Sequence, residues 1–191
     1  KQLGIAMHLY HDVHGSLPPA NLGPVYQFSP IARVFPYLEQ AALYSAINFD
    51  LGLRAGGNAP VRPENLTATQ TVVSVFLCPS DANGGTVLDP QYRPANYVAN
   101  AGSGVPDDGN FLPPRADGVC YVSSVVRFAD IRDGLSSTSL LSESLIGNGE
   151  NTSAGLPGNV PRQYIHLGNE QPPTTRPSAS NCVLGSPFPW R

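Results

Sequence analysis

Proline and glycine interrupt this chain wherever a long element would otherwise form. Of its 191 residues, 20 are proline and 19 glycine, roughly a fifth of the chain against about 12% in average usage. Proline removes a backbone donor and fixes φ, and glycine costs backbone entropy in any regular element. A helical bundle is therefore excluded, and short elements joined by long, turn-rich loops are predicted. The chain is still 41% hydrophobic. That supports a real core, and the length suits a single domain over residues 1–191.

Charge narrows the function classes. There are 14 acidic and 11 basic residues, for a net of −3. Lys1 is the only lysine, and the arginines are scattered from Arg33 to Arg191. A nucleic-acid binder needs a basic stripe to neutralise phosphates, and none is present. The same scatter argues against contact with an anionic membrane surface. No run reaches the roughly 18 apolar residues of a bilayer span. Cys78, Cys120 and Cys182 are far apart and lack zinc-finger spacing. One disulfide with one free thiol, or three small buried hydrophobes, both remain open.

The pattern along the chain predicts helices first and strands afterwards. In residues 1–14, Leu3, Ala6, Met7, Tyr10 and Val13 fall on one helical stripe, and Gly15 with Pro18-Pro19 ends it. A second helix is predicted over 36–47, from Pro36 through Leu38, Ala42, Leu43 and Ile47. Asn65 reads as the N-cap of one or two short turns. Strands are predicted at 72–77, 96–100, 119–122 and 138–145, with a turn over 127–134. This order predicts an α+β fold, with the N-terminal helix packed on an antiparallel β-sheet and long Pro/Gly-rich loops.

Five segments in series carry a resemblance. They are residues 1–19, Pro36-Tyr37-Leu38-Glu39-Gln40 with Leu43-Tyr44, Phe76-Leu77-Cys78-Pro79-Ser80-Asp81, Asn96-Tyr97-Val98, and Val126 through Thr138. In this order and spacing the chain resembles the prepilin-like, pseudopilin-G-related proteins of planctomycete-type bacteria, whose globular part is a domain of unknown function. The resemblance implies a pilin-like head, preceded by a leader and an apolar helix that anchors in the inner membrane and packs within a filament. Lys1 would lie just after that helix, and the chain would be the middle of a longer polypeptide. The implied location is extracytoplasmic, at the cell envelope. The implied partners are other pilin-like subunits, met through the absent N-terminal helix. Such proteins also tend to end in an Asp-Gly-Ser-Val-x-Phe strand. Its absence here predicts an open sheet edge able to pair with another chain.

Several residue clusters invite chemistry. His8, His11 and Asp12 share a polar side of the first helix, with His14 near its end, and imidazoles with a carboxylate suit zinc. His8 and His14 lie roughly 9 Å apart along the axis, too far for one ion. A pair such as His8 with His11 or Asp12 needs a ligand from elsewhere. The alternative is a solvated helix face with His14 favoured at the negative helix end. Asp107-Asp108-Gly109-Asn110 and Asp81-Ala82-Asn83-Gly84 offer oxygen ligands for calcium without matching an EF-hand, and their residues read more readily as Asx turns. Secretion-type pseudopilins bind calcium in a late loop, so the resemblance adds some weight to the calcium reading. Ser80, Ser136 and Ser137 with His166 lack a nucleophile elbow, and Glu143 with Asp130 or Asp133 lacks a fixed separation. Tyr92, Tyr97 and Trp190 are candidates for stacking on sugars. The sequence favours a non-enzymatic structural head with no cofactor, over a metal-dependent hydrolase or a carbohydrate-binding module.

Overall fold

The computed structural model describes residues 1–20, 22, 26–56, 59–81, 89–102 and 118–146. Its first element, α1 (Gln2–His14), buries Leu3, Ala6 and Met7. Gly15 closes the helix at φ 74°, donating its N–H to His11 O at 2.7 Å. That left-handed conformation favours glycine because a Cβ would crowd the following carbonyl. The chain then runs back beside 121–126, with Leu17 N–H on Val126 O and Ala20 N–H on Tyr121 O.

A helical layer follows. In α2 (Pro30–Arg33), Ser29 Oγ accepts from Ile31 N–H at 3.1 Å and Pro30 opens the first turn. The helix predicted over 36–47 is broken into a 3-10 turn (Phe35–Leu38) and α3 (Ala41–Ser45), with Glu39 at φ 58° between them. Phe35 is buried with its ring on Phe76, the centroids 5.6 Å apart. Asn65 does not cap α4 (Pro63–Thr69). It lies inside that helix, fully buried, accepting from Asn48 N–H at 2.8 Å and donating to Asn48 O at 3.2 Å.

The strand predictions shrink. Residues 72–77 contain a 3-10 turn, Ser74–Phe76, where a strand was expected. The segment reaches the sheet through Phe76 O, which accepts from Asn96 N–H at 2.8 Å. Residues 119–122 form no strand, because Val119 and Cys120 both donate to the single carbonyl of Asn100. One acceptor shared by successive N–H groups makes a bend, since a ladder needs alternating partners. The strands described are β1 (Tyr97–Ala99) and β2 (Leu141–Glu143), paired antiparallel with Val98 opposite Ser142. The described fold is thus a mixed helical and antiparallel β structure. No described helix is long and apolar enough to cross a membrane.

The core joins these parts. Leu3 packs with Ile31, Phe35, Leu43 and Phe76, while Ala6 and Met7 pack with Leu17, Val34, Val119 and Cys120. Leu141 touches both clusters, so α1 is clamped between the helical layer and the sheet. A third cluster around Phe28, Leu53 and Val61 lies under Tyr92 and Phe49.

Candidate functional site

The outer side of α1 is the first candidate. Ile5, Leu9 and Val13 are 51%, 42% and 68% exposed, and their four-residue spacing puts them on one face. Val13 therefore belongs to this outer stripe, where the sequence placed it on the buried one. Tyr10 is half-buried, stacked on His14 at 4.1 Å and edge-on to Tyr37 at 6.2 Å. Together the buried and exposed stripes make roughly 200° of the helix surface apolar, broader than one core contact needs.

The histidines on α1 are each engaged in packing. His8 and His11 lie against the Phe128 ring, with centroids 4.7 and 3.8 Å away. His11 Nε2 accepts from Phe128 N–H at 3.2 Å, which places the ring proton on Nδ1. Nδ1 is buried without a hydrogen-bond partner and sits 3.9 Å from Asp12 Oδ1. His11 is thus a docking residue for the Phe128–Asp130 3-10 turn, where the sequence offered a ligand or a solvated face. Among the described residues no three His, Cys, Asp or Glu side chains converge as metal ligands. Asp107 and Asp108 lie outside the described residues, as do Cys182, His166 and Trp190.

Asp81 and Asn96 form a buried polar node. Asn96 is fully buried. Its Oδ1 accepts from Cys78 N–H at 2.8 Å, and its Nδ2 donates to Asp81 Oδ2 at 2.6 Å and Ser144 O at 2.9 Å. Asp81 Oδ2 also accepts from Ile146 N–H at 2.8 Å. Two of the segments that carry the sequence resemblance, Phe76–Asp81 and Asn96–Val98, are therefore tied together and to the end of β2. The sequence offered Asp81 as a calcium ligand; in the fold it holds backbone and an amide.

The other candidates disperse. Asp130 is bound by Arg127 at 3.1 Å, and the Arg127 guanidinium holds its carboxyl below the usual carboxylate range. Tyr92 accepts from Arg54 Nε at 2.8 Å and is half-buried in the third cluster. Cys78 and Cys120 are free thiols, and burial pushes the Cys120 thiol up to about 12.

A groove of about 610 Å³ opens where the start of α1 meets β2. Leu3, Val75 and Leu141 give it apolar walls, Tyr97 and the serines give hydroxyls, and Lys1 and Glu143 are its charged residues. Neither the groove nor the Asn96 node was foreseen from sequence, because both unite segments distant along the chain. The Ile5/Leu9/Val13 stripe was visible in the helical spacing but masked by the stronger Leu3/Met7 stripe.

A family model described as protein of unknown function (DUF1559) matches residues 1–185. The chain belongs to the DUF1559 family. No curated protein and no solved structure matches it. The DUF1559 match spans the polar node, α1 and both strands, so all the geometry above lies within the family's domain.

Proposed function

We infer that this chain is the head of a pilin-like subunit with a structural role in assembly at the cell envelope. The observation that carries this is the second apolar stripe on α1, Ile5, Leu9 and Val13. A helix that only docks on its own domain needs one apolar face, and a helix that also packs against neighbours needs two. α1 is held rigidly by the core below it, so it can present the outer stripe in a fixed orientation. The motif series that resembles pseudopilin-related proteins supports the same reading. The partners are other copies or relatives of this subunit, packed helix to helix, and the location is extracytoplasmic.

The test is cross-linking of the full-length protein in its native cells. Leu9→Cys should give disulfide-linked oligomers in the envelope fraction, and the further changes Ile5→Glu and Val13→Glu should abolish them. The isolated head carrying those two changes should keep its melting temperature within a few degrees, since exposed substitutions usually stay within about 0.5 kcal/mol. Recovery of full-length protein only from the cytosol, without cross-links, refutes the assignment.

A further inference from the structure

Among the described residues the outer edge of β2 is unpaired, and the groove runs along it. Ser144 N–H donates to Asn96 O and Asn100 N–H to Leu140 O, so the bonded pair between them is Val98 with Ser142. The peptide groups of Leu141 and Glu143 therefore point away from β1. Among the described residues their N–H groups meet no acceptor. Residues 139–143 all line the groove, in unbroken succession. Side chains alternate between faces in a strand, so consecutive lining means that the groove follows the edge and exposes backbone.

We propose that this groove binds an extended peptide segment of a partner protein, which adds to β2 as a third strand and carries a basic residue opposite Glu143. The backbone of β2 offers outward donors at Leu141 and Glu143, about 6.8 Å apart, the two-residue period of a strand. An extended polypeptide matches that period with carbonyls on one side, which a sugar or a lipid chain does not. Glu143 is exposed on the groove wall, and a cross-strand partner of opposite charge sits within about 5 Å. The apolar walls at Leu3 and Val75 suit alternate small aliphatic side chains. Backbone pairing supplies affinity and the Glu143 position supplies selectivity, the general logic of strand addition. This goes beyond the assembly role, since it uses a surface separate from the Ile5/Leu9/Val13 stripe.

The probe is an acetylated, amidated heptapeptide of alternating valine and threonine with a central lysine. Its control is the same peptide N-methylated at every amide, which keeps the side chains and blocks backbone pairing along both edges. Amide hydrogen exchange is followed by NMR on the chain. The expected result is saturable binding, with slowed exchange at Leu141 and Glu143 and little change at Ser142, already paired to Val98. The N-methylated peptide should bind about tenfold more weakly or worse, as loss of two backbone hydrogen bonds near 1 kcal/mol each implies. Glu143→Pro removes an outward N–H and should abolish binding while leaving the β1 ladder intact. If that variant unfolds, the peptide pair still decides. Equal binding of both peptides, no saturable binding at millimolar concentration, or slow exchange at both amides in the free chain each overturns the proposal.

Discussion

Asn96→Ala tests whether the buried polar node holds the two halves of the fold together. The wild-type side chain makes one hydrogen bond to Cys78 N–H, one to Ser144 O and one to the Asp81 carboxylate. Neutral bonds contribute about 1 kcal/mol each and a bond to a charged group about 2 kcal/mol. Truncation therefore costs about 4 kcal/mol, and more where Cys78 N–H is left buried without an acceptor. For a chain of this size that lowers the melting temperature by about 8–16 °C. The assay is thermal and urea unfolding by circular dichroism, with Val98→Thr, at an exposed position two residues further on in β1, as a control that should stay within about 0.5 kcal/mol. Asn96→Asp adds a second arm. It brings a carboxylate against Asp81, where Nδ2 stood 2.6 Å away, and two such carboxylates cannot both ionise at that distance. That variant should be weakest at neutral pH and recover as acid lets the pair share a proton. A loss below about 1 kcal/mol for Asn96→Ala would show that water replaces the side chain and that the node is incidental.

Two other changes read separate features. Gly134 sits at φ 89° and a Cβ there meets no atom within 4 Å, so Gly134→Ala should cost about 1 kcal/mol through the backbone alone; unchanged urea stability refutes the conformation. The Cys120 thiol is raised to about 12 by burial and fully shielded, hence protonated at pH 8. Ellman's reagent should leave it unlabelled in the folded chain and label it in urea, and mass mapping that finds rapid labelling of native Cys120 refutes its burial.

The residues of α1 determined that helix without help. Leu3, Ala6 and Met7 recur at helical spacing, Gly15 supplies the left-handed cap, and proline follows. Strand character at 96–100 and 138–145 was also legible, and the fold keeps part of each as β1 and β2, but which strand pairs with which was not. Other elements were not decided locally. Val72 through Leu77 has strand composition, yet Phe76 is drawn onto Phe35 and the segment coils into a 3-10 turn around that contact. There a few tenths of a kilocalorie of local propensity yields to burial of an aromatic ring, which is worth about 2 kcal/mol. Residues 36–47 have helical spacing, yet Glu39 takes φ 58° and divides them, a break that the spacing does not mark. The histidine face shows the same division. Sequence placed His8, His11 and Asp12 on one side of α1. Only the fold brought Phe128 from 117 positions away to cover His11 and take its Nε2 as an acceptor. The Asn96 node and the β2 groove belong wholly to the tertiary structure, because the node's bonds span 15 to 65 positions, the groove joins Lys1 to Glu143, and no local period brings such residues together.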